Sequence, residues 1–531
     1  MNLIRYQKFP TYVAWVADHV NGCKQALERL EFGTKQTPRT WFYETIKDPA
    51  AVIAPVVSKL NAMRDHRDIA DWDLAKLAKY APQGNAAPFK ERQHTFQEYF
   101  AHLSAPSIIR DPAWIKAKRR AIQLLKFNES GHPVSLEQVT QRGLSEDKYN
   151  TSSGFPDFGK RKNPDVLSKA IKDAPNAIKD KFPAVMGSRA SMGKTGVDAR
   201  HIFMGSMAVN IWGQRYQQPL QDFIRKHRVD FFTPWEGWNE TQRAISSKTT
   251  PSSLFFGADY DKMDQHFNLY HGFECYDVIK HYFSPEHWDE LHEIIQYVFT
   301  MPIITNLGYV DQPHSMPSGS EWTNFLETMW NFIFKLFLEI KYGFKIIYAM
   351  GIGDDQLYIL SGNWTTASID RLIDTVIKEF DNAGLPGNKE KQEVSVARTG
   401  FLQRLIVKGY NGFDGSTPCA GVYSLIRNVT SQVFPEFYHN TKLWNADMFA
   451  LRVIMIAENC VNHPLFKWYV TEYIAKANAN ILEFARKRDS EIREIQKRAK
   501  GIANFLPTYN QEKLDSSIDQ FVTLKLLREL T

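Results

Sequence analysis

Lys345-Ile-Ile-Tyr-Ala-Met-Gly-Ile-Gly-Asp-Asp-Gln-Leu-Tyr-Ile-Leu360 decides the fold. Two apolar runs flank a glycine-bearing turn, which reads as two strands joined in a β-hairpin. Asp354 and Asp355 fall at or beside its tip, presented in front of the sheet and not buried in its ladder. A Gly-Asp-Asp tripeptide is also a common surface turn, so its meaning rests on the company it keeps.

Working outward, Trp322, Phe325, Met329, Phe332, Ile333, Leu336 and Ile340 recur with the period of a helix buried on one face, and Gly343 is placed to end it. The loop Pro313-His-Ser-Met-Pro-Ser-Gly-Ser320 feeds that helix. Downstream, Ile369, Leu372, Ile373, Val376, Ile377 and Phe380 mark a second amphipathic helix, stopping near Gly384. Further upstream, Ser253-Leu-Phe-Phe-Gly-Ala-Asp-Tyr260 reads as a buried strand that ends on a carboxylate, an unusual place for a charge. Strands and helices together predict an α+β core, with helices on one face of an antiparallel sheet. Beyond about residue 440 the pattern is helical. It closes with the charged run Arg486 to Arg498, a solvated helix face or a face lining an RNA exit.

A chain of 531 residues exceeds what one core supports, and no repeat or Gly/Ser linker divides it, so interpenetrating subdomains are expected. The formal charge of +6 permits a polyanionic partner without demonstrating one, and 13 Trp, 22 Tyr and 35 Phe can stack on bases or fill a core. Cys23, Cys275, Cys419 and Cys460 lie far apart, which indicates neither a zinc cage nor a disulfide framework. No signal peptide opens the chain, and its greasiest stretch, Phe332 to Ile340, is interrupted by Lys335. The expectation is a cytosolic protein with no membrane segment.

The carboxylates suggest phosphoryl transfer, whose barrier falls mainly through in-line positioning and neutralised charge. Two Mg²⁺ or Mn²⁺ ions supply that neutralisation, and a few aspartates on adjacent strands can hold them. Asp259, Asp354 and Asp355 meet this need if their strands are neighbours. Two loops, Tyr149 to Lys162 and Met186 to Arg200, combine glycine with positive charge, as phosphate-facing or merely solvated loops do.

Taken in order, the features from residue 151 to 404 resemble the viral RNA-dependent RNA polymerases, enzymes shaped as a right hand. Asp259-Tyr-Asp-Lys-Met-Asp264 is similar to the family's Asp-x4-Asp, which implies a metal ligand at Asp259 and a reader of the ribose 2′-hydroxyl at Asp264. Ser318-Gly-Ser-Glu-Trp-Thr323 resembles its Ser-Gly-x3-Thr loop, implying that Ser318, Gly319 and Thr323 meet the incoming sugar or its neighbours. The hairpin supplies the remaining metal ligands, Asp354 and Asp355. Thr151-Ser-Ser-Gly-Phe-Pro156 resembles the loop at the template entrance, implying that Thr151, Ser152, Gly154 and Pro156 guide single-stranded RNA. Arg189, Lys194 and Arg200 resemble the basic motif that clamps NTP phosphates. Asn388-Lys-Glu-Lys391 stands where relatives carry a lysine that protonates pyrophosphate, either Lys389 or Lys391, with Lys391 the choice here. Phe401-Leu-Gln-Arg404 resembles the primer grip, naming Phe401 and Arg404.

The chain also departs from the pattern. Four residues after the motif threonine many relatives have Asn, whereas here stands Glu327, with Asn324 next to Thr323, so sugar discrimination is expected to use another partner. Asp198 lies two before Arg200, where relatives often place a base. The form of the Ser-Gly loop and the length are most similar to the picobirnavirus and partitivirus polymerases of double-stranded RNA viruses. That resemblance implies fingers over 1–216 and 267–312, palm over 217–266 and 313–407, and a mainly helical thumb over 408–531. It also implies a single-stranded RNA template, a double-stranded product, NTPs, primer-independent initiation, a capsid-protein partner, and work in the host cytoplasm and inside the virion. Two other classes stay open: a reverse transcriptase, against which Asp264 and Gly353 argue, and an inactive RNA-binding protein, against which the full aspartate set argues.

Overall fold

The protein is described by a computed structural model over residues 3–36, 48–146, 148–191, 194–435, 445–500 and 518–531. The hairpin forms from strands Ile346–Ile352 and Asp355–Leu360, with Ile352 opposite Asp355. Strand Leu254–Ala258 lies on the other side of Asp355–Leu360, and Glu393–Ser395 completes a four-stranded antiparallel sheet. The strands read as continuous apolar runs because both faces are covered. Leu254, Phe256, Ala258, Tyr358 and Leu360 enter the large core beneath helix Trp322–Tyr342. Their alternates Phe255, Leu357 and Ile359 meet Trp238 and Ile245 of helix Trp238–Lys248 on the opposite face.

Helix Trp322–Tyr342 is the spine of this core. Helix Pro112–Leu125 packs along it, bringing the Trp114 and Trp330 ring centroids to 4.5 Å. Helix Thr366–Asn382 reaches it through Phe380, whose ring lies 5.4 Å from Phe334 and 4.3 Å from Tyr260. Aromatic rings packed this way each remove roughly 150–250 Å² from water, which fixes the spine in the core. Gly343 ends it in the left-handed conformation at φ 65°, a geometry that costs glycine little.

A second sheet runs in the order Arg200–Met204, Ala184–Arg189, Ile303–Thr305, Gly308–Val310, its central pair parallel. A third joins Arg398–Phe401, Arg404–Val407 and Gly421–Tyr423. After residue 445 the described chain is helical, through Ala446–Ala457, a π-helical stretch at Tyr469–Ile474, Ala479–Ala485, Asp489–Lys500 and Val522–Arg528. Residues 441–444 and 501–517, part of the expected helical region, lie outside the described residues. The charged run falls largely on helix Asp489–Lys500, which buries Ile492 and Ile495 and leaves Arg493, Lys497 and Arg498 exposed: a solvated helix face.

The described chain ahead of residue 130 is shared among several cores. Val52, Val56 and Leu60 of helix Pro49–Ala62 join the C-terminal helices, Phe89, Phe96 and Phe100 pack with Met186 and Phe203 of the second sheet, and Trp114 to Leu125 lies on the spine. Fully buried Asp73 fastens the first of these: it accepts from Ser424 Oγ and from the Leu425 and Ile426 amides at 2.8 and 3.2 Å, with His463 Nε2 at 3.2 Å. Among the described residues no helix is long and apolar enough to cross a membrane.

Candidate active site

Strand register brings the aspartates together. Leu254 faces Leu360 and Ala258 faces Gln356, so the next pair outward is Asp259 and Asp355, with Asp354 at the turn beside them. Loss of solvent, then repulsion from Asp354 and Asp259, pushes the Asp355 carboxyl up to about 7. Asp259 is raised by partial burial and then by Asp354; Asp354 is raised by burial and then by Asp264. Lys391 and Lys194 oppose the rise at Asp259, and Arg200 and Lys194 oppose it at Asp354. Three mutually repelling carboxylates offer only hard oxygen donors, which fits Mg²⁺ or Mn²⁺.

The turn is held from the spine. Gly353 sits at φ 59°; its N–H donates to Thr328 Oγ1 at 2.8 Å, and its carbonyl accepts from Asn331 Nδ2 at 2.8 Å. The Tyr260 hydroxyl donates to Asn331 Oδ1 at 2.9 Å, so one buried amide joins the strand bearing Asp259 to the hairpin. On the other flank Gln392 clamps Asp259, accepting from its N–H at 3.1 Å and donating to its carbonyl at 2.8 Å. Sequence reasoning missed Thr328, Asn331 and Gln392. A signal for the first two was present: Asn324, Glu327, Thr328 and Asn331 form a polar stripe at helical spacing on an otherwise apolar helix.

The Ser318 to Thr323 loop closes another side. Ser318 Oγ donates to Asp264, the Ser318 carbonyl accepts from Phe203 N–H at 3.0 Å, and Thr323 Oγ1 donates to the Pro317 carbonyl at 3.3 Å. Gly319 has φ 117°, and a Cβ there would lie 2.6 Å from the Phe203 carbonyl oxygen, so only glycine lets loop and strand approach this closely.

Arg189 and Arg200 are paired across adjacent strands, and the exposed Arg200 and Lys194 act on the carboxylates from that sheet. Lys194 is pulled below its ordinary value by burial and then by Arg200, Lys391 and Lys262, a concentrated positive field. Residues 192 and 193 of this loop lie outside the described residues. Buried Arg92, also missed from sequence, braces the two strands from behind, donating to Ser188 Oγ and to the Ala199 carbonyl.

Of the two lysines, Lys391 Nζ lies 2.9 Å from Asp261 beside Asp259, whereas Lys389 turns away to Asp374 at 2.6 Å. In the 151–156 loop Thr151 and Ser152 are exposed, while Gly154 and Pro156 are buried. Gly154, at φ 65°, would place a Cβ 2.5 Å from the Gly205 carbonyl oxygen. Phe401 and Arg404 stand opposite each other in a hairpin that turns at half-buried Leu402 and exposed Gln403. Both side chains are buried, Phe401 in the core with Trp238 and Arg404 with its guanidinium 4.4 Å from the Trp238 ring. The surface this hairpin offers is made by Gln403.

No family model matches the chain. It is 27% identical over 420 residues to a "Potential RNA-dependent RNA polymerase" of Human picobirnavirus (strain Human/Thailand/Hy005102/-), covering 74% of this chain and 73% of that protein. Its fold matches the crystal structure of the RNA-dependent RNA polymerase of a human picobirnavirus with TM-score 0.78 and 21% identity, over 99% of this chain and 100% of the other. An insertion loop deletion mutant of such a polymerase matches with TM-score 0.78 and 20% identity over the same shares.

Proposed function

We infer that this chain is a viral RNA-dependent RNA polymerase of the picobirnavirus kind, performing template-directed nucleotidyl transfer. The observation that carries the reading is the register that sets Asp259 beside Asp355 and Asp354, with the positive charge of Arg200 on a second sheet and of Lys194 on the loop before it acting on Asp354. Opposite charges arranged so suit a triphosphate lying between carboxylates and cations.

Asp259, Asp354 and Asp355 would hold two divalent ions, which would neutralise charge on the reacting oxygens. The 3′-hydroxyl of the growing strand gives up its proton to solvent as its oxygen bonds to the α-phosphorus of the NTP and the bond to pyrophosphate breaks. Arg189, Lys194 and Arg200 draw in and orient the triphosphate. Lys391, raised above its ordinary value by its hydrogen bond to Asp261, is protonated at neutral pH and hands its proton to the departing pyrophosphate. Asp264, held by Ser318, accepts from the ribose 2′-hydroxyl, and Gly319 and Thr323 shape that loop. Thr151 and Ser152 meet template on a backbone that Gly154 and Pro156 set, and Phe401 and Arg404 build the hairpin that presents Gln403 to the growing strand. The fingers, palm and thumb ranges follow the family pattern, initiation needs no protein primer, and the enzyme works with a capsid protein inside a particle in the host cytoplasm.

The test is incubation with single-stranded RNA, labelled NTPs and Mg²⁺ or Mn²⁺, with and without the capsid protein of the same virus, beside Asp354→Ala. Template-length product from the wild type and none from the variant is expected. Equal product from both would remove the hairpin aspartate from the chemistry. RNA binding without incorporation under any of these conditions would favour an inactive binding protein.

A further inference from the structure

Away from the aspartates, one group of metal-ligating side chains converges among the described residues: His132, Glu286 and His287. His132 Nδ1 and His287 Nε2 are 3.0 Å apart, and Glu286 Oε1 stands 4.0 Å from the first and 3.8 Å from the second. The carboxylate oxygen is thus beyond hydrogen-bond range of both nitrogens, yet almost equally far from each. An imidazole–carboxylate ion pair would close on one nitrogen, whereas a shared ion holds three donors apart. A point equidistant from three atoms so spaced lies about 2.1 Å from each, within the roughly 2.0–2.2 Å at which Zn²⁺ binds imidazole nitrogen and carboxylate oxygen.

The two histidines are 155 residues apart, on segments that the backbone already joins. Gly131 N–H donates to the Tyr282 carbonyl at 2.7 Å, Ser284 N–H to the Gly131 carbonyl at 3.0 Å, and Glu129 N–H to the His281 carbonyl at 2.8 Å. A Cβ on Gly131 would lie 2.4 Å from Tyr282 Cε1, so glycine is what lets the segments run this close. Pro133 biases His132 towards extended backbone, and Pro285 opens the 3₁₀ turn Pro285–His287. On the far side Val134 N–H donates to the Arg215 carbonyl at 2.9 Å, and the Tyr216 ring meets His287 edge-on at 6.3 Å. Both rings are therefore placed by the fold, which lowers the ordering cost of binding. His132 and Glu286 are exposed and His287 is half-buried, which gives an ion a path in.

Two imidazoles and one carboxylate suit Zn²⁺ better than Mg²⁺ or Ca²⁺, which favour oxygen throughout. Three protein ligands leave a fourth position for water. We propose that His132, Glu286 and His287 bind one Zn²⁺-class ion that staples residues 129–134 to the turn Pro285–His287. The stapled segment runs directly into helix Leu136–Ser145. The site shares no residue with the polymerase centre, so either reading can fail without the other.

The test uses the full chain, stripped of metal with a chelator and held in excess Mg²⁺ so that the aspartates are occupied. ZnCl₂ is titrated in by calorimetry and Co²⁺ by visible absorption, beside Asp354→Ala, His132→Gln, His287→Gln and Glu286→Gln. One equivalent of Zn²⁺ is expected in the wild type and in Asp354→Ala, with the Co²⁺ band of a four-coordinate site and a raised melting temperature. Each histidine substitution is expected to abolish all three signals. Glu286→Gln is expected to weaken binding at least about tenfold, since losing even a partner of a metal ligand costs that much.

Wild-type protein that binds no Zn²⁺ under these conditions would overturn the proposal and leave an ordinary histidine pair at the surface. Binding that survives both histidine substitutions, or that disappears in Asp354→Ala, would overturn it as well. Should the histidine variants fail to fold, exposed Glu286→Gln decides, and an unchanged affinity there would sink the proposal.

Discussion

Asn331 concentrates the residue-scale lesson. Its amide is fully buried and joins Tyr260 to the Gly353 carbonyl, so strand, helix and hairpin share one hydrogen-bonded node. Asn331→Leu keeps the volume but leaves a hydroxyl and a carbonyl unsatisfied, a loss of about 2–4 kcal/mol. The expected outcome is a lower melting temperature together with a kcat that falls much more than KM rises, since the hairpin carboxylates lose their support while Arg189, Lys194 and Arg200 keep theirs. A variant with wild-type kcat would show that the turn holds its shape without the amide. The hairpin that carries Asp354 and Asp355 was legible in the sequence because two apolar runs flank a glycine-bearing turn. Asn331 was not, because a lone polar residue on an apolar helix looks like an imperfection until its partners, 22 and 71 residues away, are known. Phe401 and Arg404 show the converse: the motif is readable, but burial turns both side chains inward.

At the scale of elements, period and punctuation located the hairpin, the spine and the Thr366–Asn382 helix within a few residues, since local pattern governs all three. That Leu254–Ala258 pairs with Asp355–Leu360 is a non-local fact, and so is the burial of both sheet faces. Helix Leu269–Ile279 is likewise fixed by a distant contact. His271 accepts from the Asn268 amide at 3.0 Å through Nδ1, and its Nε2–H donates to the Ala383 carbonyl at 2.8 Å, tying this helix to the end of Thr366–Asn382. Burial lowers His271 from 6.5 to about 4, so the folded protein keeps it neutral while the unfolded chain takes up a proton below about 6.5. Its contribution to stability is therefore complete above that pH and is lost as pH falls towards 4, amounting to ~3 kcal/mol. Thermal unfolding across that window is expected to show a falling midpoint, with a shallower fall in His271→Gln; parallel curves would assign the acid sensitivity to other groups.

For the whole molecule, the first hundred residues are distributed among cores that the rest of the chain builds, an arrangement that composition and periodicity do not reveal. Asp73 is the firmest of these fastenings, capping helix Leu425–Val433 from a segment that precedes it by 351 residues. Asp73→Ala leaves the Ser424 hydroxyl and two helix N–H groups without their acceptor, a loss of about 3–5 kcal/mol. Hydrogen exchange is expected to rise in residues 425–433 and 49–62 together, with little change in strands Ile346–Ile352 and Asp355–Leu360. Exchange confined to residues 425–433 would mean that apolar packing alone holds the strap.

That strap also sets a waiting time during synthesis. At about 5–20 residues per second, the ribosome needs roughly 20–70 s to deliver Ser424 after Asp73 has emerged. Throughout that interval Val52, Val56 and Leu60 have no core to enter. The nascent chain is therefore vulnerable to aggregation and proteolysis around residues 49–62 until the helices after Ser424 are made.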